Sequence, residues 1–385
     1  MTTFADSWLW GVGLSSGPLD AADLDLLREL GVQAACLTAP WAQLQPTGRG
    51  RLNAGALAAI DRLTDDLLTL GVQPWLSLDG ALPPTVDAAG GWLARDTAHR
   101  FQDYAYLVGE ALADRAAAVF TLWPVLGTPP SPPTLHSFPA HHHRLLGHGL
   151  ATRALREAGA RQVGLGHHFA PAWPARDHDA DEQAAALVAA WRNDLCTGPV
   201  WRGAYPAPVL EVLGERAPAL LDAVRPGDLN TIAAPLDLLG VGYDQPAWVQ
   251  ARPGAPLGLD VGPVPDRERT GAAGSEGLTQ VLTDLKVQLG ETGPPLVVAL
   301  GGVWADAPLP DGRVPDSGRV RFLEGHVQAV ADAAERGVAV RGVLVGELLD
   351  RGEGWGLVRV DEGTGERVRK GSFGWVAGVV RGDGG

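Results

Sequence analysis

The stretch from Val119 to Val125 constrains the fold more than any other part of the chain. Its apolar and β-branched residues are followed by Leu122, Trp123 and Pro124, which is the pattern of a short, buried β-strand. Pro124 has no backbone N–H to donate, so the strand is expected to end at this residue. The sequence therefore predicts a bulky indole at the end of a buried strand.

Similar apolar runs of strand length recur along the chain and alternate with helical patterns. Strands are predicted over residues 8–16, 32–37, 73–78, 162–166, 237–242, 296–302 and 340–345. The first predicted helix has Asp20 or Asp23 as its N-cap and ends at Gly31. Further helices are predicted over residues 53–70 and 321–335, and a polar surface loop rich in Gly and Pro over residues 252–277.

Several of these segments resemble glycoside hydrolase family 1, the retaining β-glucosidases. Residues 8–16 resemble the family's opening Phe-Leu-Trp-Gly-Val-Ala-Thr-Ser, residues 90–97 follow a family pattern closely, and residues 355–361 echo Phe-Gly-Leu-Val-Tyr-Val-Asp. The resemblance covers nearly the whole chain, and no break in composition suggests a second domain. It implies an α/β fold in which residues 1–385 form a single (β/α)8 TIM barrel with shortened active-site loops.

The two catalytic glutamates of this family have no counterpart in the chain. The family carries its acid/base in Thr-Leu-Asn-Glu-Pro, whereas here Thr121 and Leu122 are followed by Trp123 and Pro124. The family's nucleophile lies in Ile-Thr-Glu-Asn-Gly, where this chain has Leu300. Retaining glycosidases need two carboxyl groups about 5–5.5 Å apart. The resemblance therefore implies a pseudo-glycosidase, catalytically compromised, that acts by binding a ligand or a partner.

Other polar family positions are replaced as well. Pro18 replaces a Gln that grips the sugar, Cys36 an Arg that holds the nucleophile's charge, and Asp244 a Tyr that contacts the nucleophile. One isolated sequence change would not produce such a set. The joint loss of these polar residues supports the interpretation that the fold is retained for a function other than glycoside hydrolysis.

The alternative is a glycoside hydrolase whose carboxylates have moved to new positions. Asp79, Asp244, Glu347 and Glu353 all follow predicted barrel strands, at the face where such barrels place active sites. Two of them could form a new acid/base pair, with His168 as a third partner. They could equally be solvated residues at the rim, or pair with basic groups in the loops.

The residues expected to line the pocket are Trp41, Trp123, His168 and Tyr243. Trp123 could fill the space left by the sugar, or it could offer a stacking surface to a ring-shaped ligand. A cleft filled by Trp123 and Leu300 would favour the pseudo-glycosidase. A carboxyl pair about 5–10 Å apart in an open cleft would favour the enzyme.

A run of histidines, at positions 141–143 and 148, resembles a metal site. Consecutive residues on a helix point about 100° apart and cannot share one metal ion, so structural roles are expected. A metal held by His168, Asp244 and Glu347 would be chemically reasonable, but the spacing does not indicate one. The sequence predicts no metal and no cofactor.

Composition limits the partners. The net charge of −14 argues against nucleic acid and anionic membranes, and no apolar run is long enough to span a bilayer. The first residues lack the features of a secretory signal. Cys36 and Cys196 are expected to be free thiols in the cytoplasm, although a disulfide is possible from sequence alone. The expected partner is a carbohydrate or other small ligand, or a protein.

Overall fold

Parallel strands close into a barrel in the computed structural model, which describes residues 8–14, 19–78, 81–123, 138–214, 217, 221–243, 246–263, 272–301, 308–352, 354, 356–361 and 363–382. In spatial order the barrel strands are β1 (Leu9–Leu14), β2 (Ala34–Thr38), β3 (Gln73–Ser77), β4 (Ala118–Phe120), β5 (Val163–Phe169), β7 (Leu238–Tyr243), β10 (Leu296–Leu300) and β11 (Val340–Asp350). The barrel closes where β1 pairs in parallel with β11. This architecture confirms the predicted (β/α)8 TIM barrel.

Helices surround the barrel, and two shorter groups of strands complete the structure. The helices are α1 (Ala21–Leu30), α2 (Trp41–Leu44), α3 (Ala54–Thr69), α4 (Pro84–Ala88), α5 (Asp96–Leu112), α6 (Phe138–Glu157), α7 (Asp179–Ala189), α8 (Leu195–Arg202), α9 (Ala207–Leu213), α10 (Asp228–Ile232), α11 (Ala272–Leu289), α12 (Ser317–Glu335) and α13 (Gly371–Arg381). A π-helical turn, Ala190–Asp194, joins α7 to α8. Strands β12 (Gly356–Val360) and β13 (Arg367–Arg369) extend the sheet beyond β11. Within the described ranges, we find no helix with both the length and the apolar character needed to cross a membrane.

The barrel strands are apolar because both of their faces are covered. Every residue of β10 is buried, as expected of a parallel strand between a barrel interior and a layer of helices. Alternate residues of β10 enter different cores: Val297 and Ala299 pack inside the barrel, whereas Val298 and Leu300 pack between the barrel and the helices. The interior cluster consists of Ala34, Cys36, Trp75, Ala118, Phe120, Trp123, Leu238, Val297, Ala299 and Leu344.

Large and small residues complement each other inside the barrel. A Cβ added at Gly164 of β5 would lie 2.5 Å from the Phe120 ring, and one at Gly240 of β7 would lie 2.6 Å from the Trp123 ring. A Cβ at Gly166 would overlap the same indole even more closely. The glycines at these positions of β5 and β7 are therefore what admit the aromatic rings of Phe120 and Trp123.

We expect Gly166→Ala to lower the free energy of unfolding by about 1–3 kcal/mol, because its methyl group would be forced against the Trp123 ring. The measurement is chemical denaturation monitored by fluorescence. Gly262→Ala is the matched control, because a Cβ at Gly262 meets no atom within 4 Å. Equal stability of the two variants would show that the ring does not occupy this space.

A small sheet replaces much of the surface loop predicted over residues 252–277. Strand β6 (Ala172–Pro174) pairs in parallel with β8 (Ala247–Ala251), which pairs in antiparallel fashion with β9 (Leu259–Pro263), and α11 begins at Ala272. The prediction of a continuous loop was wrong, because Gly and Pro in this stretch form the turn and the ends of a hairpin.

The other predicted elements are present with small shifts of their ends. Asp20 is the N-cap of α1 and forms a capping box with Asp23, and Gly31 ends the helix in the left-handed conformation. Helix α12 begins a few residues before the predicted position, and β11 continues to Asp350.

Candidate functional site at the carboxyl ends of the barrel strands

Trp123 lies inside the barrel, just beyond the carboxyl end of β4. Its side chain is 0% exposed, and its ring centroid is 4.5 Å from that of Phe120. The Ser77 hydroxyl donates a hydrogen bond of 2.6 Å to the Trp123 carbonyl oxygen, which fixes the backbone at this point. The indole N–H has no hydrogen-bond acceptor among the described residues. The full burial of this ring agrees with the space-filling interpretation.

The residue two places before Trp123 ties β4 to the helix layer. Thr121 Oγ1 lies 2.6 Å from Nδ1 of His148 on α6, and both residues are fully buried. Burial lowers the pKa of His148 to about 3, so its ring is neutral at ordinary pH. The bond holds the β4 terminus, and with it Trp123, against α6.

Cys36 and Glu347 face each other across the first barrel strand. Cys36 on β2 and Glu347 on β11 are both register partners of Gly13 on β1. Glu347 is 5% exposed and follows a break in register at Gly346, whose φ of +62° favours glycine. Burial raises the pKa of the Cys36 thiol, and the charge of Glu347 raises it further. The thiol is therefore protonated, and Glu347 is a carboxyl group placed at the barrel.

The structure does not describe the other three acidic residues that were predicted as relocated catalytic groups. Asp79, Asp244 and Glu353 lie outside the described residues, and so does Pro124. Of the predicted acids, Glu347 is thus the one whose place in the barrel is established.

Leu300 and Trp123 belong to different clusters, so they do not together fill one cleft as the pseudo-glycosidase criterion would have it. In the pairing of β10 with β11, Leu300 is opposite Val345, and both belong to the core between the barrel and the helices. Its neighbour Ala299 is opposite Leu344, and these two face the interior. The strand pleat is the reason, because consecutive residues point to opposite faces.

His168 and Tyr243 lie on opposite faces of neighbouring strands. A Cβ at Gly242 would lie 2.7 Å from His168 Nδ1, so the half-buried imidazole covers this glycine on the interior face. Tyr243 points the other way: its hydroxyl donates to the Gly274 carbonyl oxygen, and its ring lies 5.5 Å from that of His326 on α12. The prediction that Tyr243 lines the pocket was wrong, for the same reason of strand alternation.

Trp41 also belongs to the scaffold rather than to a pocket. Its ring stacks on that of Tyr104 with centroids 5.5 Å apart, and its indole N–H donates to Gln45 Oε1 at 3.0 Å. The residue is buried in the core between the barrel and the helices. The prediction that it lines the pocket was wrong because α2 turns the indole towards α5.

The histidines of α6 each have their own partner in the scaffold. His142 Nδ1 lies 2.8 Å from the Tyr205 hydroxyl, and its Nε2 lies 2.9 Å from Asp228. His143 Nδ1 lies 3.1 Å from the Trp92 carbonyl oxygen. Across the described part of the chain, we find no group of three or more His, Cys, Asp or Glu side chains that could hold a metal ion. These contacts support the structural roles predicted for the histidines.

Asp228 joins α10 to α6 and to the segment before α5. Arg95 donates to both of its carboxylate oxygens, at 2.8 and 2.5 Å, and the Arg225 backbone N–H donates at 2.8 Å. Burial opposes ionisation of Asp228, but the bonds from Arg95 and His142 outweigh it and hold the pKa of this carboxyl well below its usual range. The ionised carboxylate of Asp228 therefore stabilises the packing of α10 against α6 and against the segment before α5.

We expect the protein to lose stability as the pH falls below about 6.5. Burial lowers the pKa of His148 to about 3 and that of His326 to about 4, whereas both would bind protons near pH 6.5 in the unfolded chain. The unfolded state therefore binds more protons than the folded state between about pH 6.5 and 3. The free energy of unfolding decreases as the pH is lowered through this window, and the contribution of the neutral histidines is complete above it. Thermal unfolding from pH 8 to pH 4 measures this, and His326→Gln should show a shallower decline. A constant midpoint would contradict the buried, neutral state of these rings.

Sequence reasoning missed the residues that make room for Trp123. Gly166 and Gly240 are the neighbours that its indole overlies, yet they were considered only as parts of strands. A signal was present, because glycine occupies alternate positions on β5 and again on β7. In a barrel strand, such spacing leaves one face without side chains.

Comparisons with known proteins agree with the barrel and its motifs. The sequence model of Glycosyl hydrolase family 1 matches residues 19–384. The chain is 35% identical over 388 residues to thermostable beta-glucosidase B of Thermobispora bispora, covering 94% of this chain and 80% of the relative. It is 32% identical over 386 residues to a beta-glucosidase of Agrobacterium sp., covering 94% of this chain and 83% of the relative. The crystal structure of psychrophilic beta-glucosidase BglU from Micrococcus antarcticus superposes with a TM-score of 0.87 at 28% identity, covering 99% and 98% of the two chains.

The fold and these matches define a (β/α)8 barrel of the glycosidase type. The chain belongs to glycosyl hydrolase family 1.

Proposed function

We propose that this chain is a non-hydrolytic member of its family, a pseudo-glycosidase that acts by binding a ligand or a partner. Its relatives include proteins named as beta-glucosidases, and their chemistry needs a nucleophile and an acid/base. At the positions that resemble those two groups, this chain has Leu300 and Pro124. Neither side chain can attack a sugar carbon or exchange a proton with a leaving group.

The observation that carries the proposal is the burial of Trp123. Barrels of this type bind their substrates at the carboxyl ends of the strands. There, Trp123 is 0% exposed and occupies the space left open by Gly166 and Gly240. An indole in this position competes with a sugar ring for the same volume.

The surroundings of the site support the same proposal. The position that resembles the family's charge-holding Arg is Cys36, and burial raises the pKa of this thiol so that it stays neutral. A neutral thiol cannot stabilise a neighbouring carboxylate as a guanidinium does. Removing such a set of groups from an enzyme lowers the rate by several orders of magnitude, on the order of 5 kcal/mol or more in activation free energy.

A second function rests on Glu347. It is a buried carboxyl group at the carboxyl end of β11, beside Cys36, where a barrel enzyme could use an acid. A hydrolase built on Glu347 would need a second carboxyl group about 5–9.5 Å away. Asp79, Asp244 and Glu353 are the candidates for that second group.

We expect no turnover of 4-nitrophenyl β-glycosides by the wild-type protein above the rate without protein. The assay follows nitrophenolate release over several hours, with Glu347→Gln and Asp244→Asn measured alongside. Equal, background rates in all three proteins support the pseudo-glycosidase. Turnover by the wild type that disappears in Glu347→Gln would contradict it and favour the hydrolase with relocated acids.

We also propose a cytoplasmic location. Cys36 and Cys196 are both free and buried. Unpaired thiols are typical of proteins from reducing compartments. A carbohydrate is the proposed ligand class, with a protein partner as the alternative.

A further inference from the structure

Two tryptophans stand side by side on the small sheet. In the parallel pairing of β6 with β8, Trp173 is directly opposite Trp248. In the antiparallel pairing of β8 with β9, Trp248 is directly opposite Gly262. Directly opposed residues on neighbouring strands share one face of a sheet. Trp173, Trp248 and Gly262 therefore form one row across all three strands, with two half-buried indoles and a glycine at the end.

The sheet that carries this row is rigidly supported from behind. The opposite face presents Ala172 and Val249, which pack against Ala184, Ala185 and Val188 of α7. On the front, the Trp173 indole N–H donates to Gln280 Oε1 of α11 at 2.8 Å, which fixes the orientation of that ring. The row is thus held in place before any ligand arrives, which reduces the entropy cost of binding.

The row lies at the same end of the barrel as the residues considered above. Strand β6 follows the carboxyl end of β5 closely, and β8 follows that of β7. The Ala247 N–H donates to the Pro171 carbonyl oxygen at 2.9 Å, which ties the two connections together. A ligand on this row would therefore sit at the carboxyl rim of the barrel, outside the interior that Trp123 fills.

The charges beside the row are already paired. Arg176 forms an ion pair with Asp181 at 2.8 Å, and Arg252 forms one with Asp260 at 3.0 Å. The space in front of Gly262 is open, since a Cβ there meets no atom within 4 Å. The surface offers two half-buried indoles and an open glycine, and the arginines beside it in the described part of the chain are paired with carboxylates rather than available to an anionic ligand.

From this chemistry we propose that the row formed by Trp173, Trp248 and Gly262 binds a neutral, extended polysaccharide chain. The face of an indole is electron-rich and attracts the partially positive C–H groups that cover one side of a sugar ring. Two indoles on adjacent strands would hold two neighbouring sugars, and Gly262 leaves room for the chain to continue. The site is separate from the barrel interior, so it does not depend on whether the interior hydrolyses or binds glycosides.

The test is electrophoresis of the full-length protein in native gels that contain hydroxyethyl cellulose. We expect the polymer to retard the wild type, and Trp173→Ala/Trp248→Ala to weaken binding about tenfold or more. Trp248→Ala alone should also weaken it, and this indole is half-buried rather than part of the barrel core. The Phe variants at both positions keep a ring and should keep most of the retardation.

Trp8→Ala is the matched control, because it removes a half-buried indole at the opposite end of the barrel. It should migrate as the wild type does in the presence of the polymer. Wild-type migration that the polymer leaves unchanged would overturn the proposal, and so would equal retardation of the wild type and the double Ala variant. Stronger retardation by carboxymethyl cellulose than by the neutral polymer would contradict the argument from charge.

Discussion

Replacing Trp123 with alanine is expected to lower the free energy of unfolding by about 3–5 kcal/mol, as large-to-small changes of a buried Trp do. The ring is fully buried, and its nearest neighbours on β5 and β7, Gly166 and Gly240, have no side chains that could move into the space. A cavity would therefore remain inside the barrel. Chemical denaturation of both proteins measures the loss.

The same variant offers a second test of what fills the barrel. A dry cavity of this shape should accept an apolar ring, so indole added to Trp123→Ala should raise its thermal midpoint and leave that of the wild type unchanged. Trp123→Phe keeps part of the ring and should lose less stability. A loss below about 1 kcal/mol in Trp123→Ala, with no response to indole, would show that the interior is not built around this side chain.

Breaking the buried pair of Asp350 and Lys370 is expected to cost about 3–5 kcal/mol. The two side chains are 7% and 2% exposed, and Lys370 Nζ donates to Asp350 Oδ2. The other oxygen, Oδ1, accepts the backbone N–H groups of Gly352 and Gly354 at 3.0 and 2.8 Å. Asp350→Ala would leave a buried ammonium without its counter-charge and free two backbone donors at the end of β11.

Controls separate the effect of burial from that of charge. Arg28→Ala breaks an ion pair with Asp25 on the exposed face of α1 and should change stability by about 1 kcal/mol or less. The double variant Asp350→Leu/Lys370→Met removes both charges and should be more stable than Asp350→Ala alone. If Asp350→Ala and Arg28→Ala cost the same, the Asp350–Lys370 pair does not behave as a buried one.

The individual strands and helices could be predicted because their signals are local, whereas the barrel itself was predicted from the resemblance to glycoside hydrolase family 1. Each barrel strand is a short apolar run, and α1 has both its capping box and its terminal glycine in the printed sequence. The small sheet was missed because β8 and β9 pack against α7, through contacts that no local pattern reveals. Polar and glycine-rich segments predict loops unless a distant helix covers them.

The candidate site was harder to predict, because it depends on which face each residue occupies. Tyr243 was assigned to the pocket, and Leu300 to the nucleophile's position, from the match to family motifs, but a shift of one residue moves a side chain to the other face. The alternating glycines of β5 and β7 indicate a face with little side-chain volume, but the sequence does not show that Trp123, on a different strand, fills the space beside Gly166. The placement of Glu347 depends on the register break at Gly346, which sequence alone does not locate.

The absence of a nucleophile is tested most directly by the mass of the intact protein after incubation with an activated 2-deoxy-2-fluoro-β-glucoside. Such a reagent leaves a covalent glycosyl group on the carboxylate of a retaining glycosidase, because the second step of that mechanism becomes slow. The mass of this chain should stay unchanged, with Leu300 at the position that resembles the nucleophile's. An increase by one fluoroglucosyl group, lost in Glu347→Gln or Asp244→Asn, would show that the chain has a working nucleophile and contradict the pseudo-glycosidase.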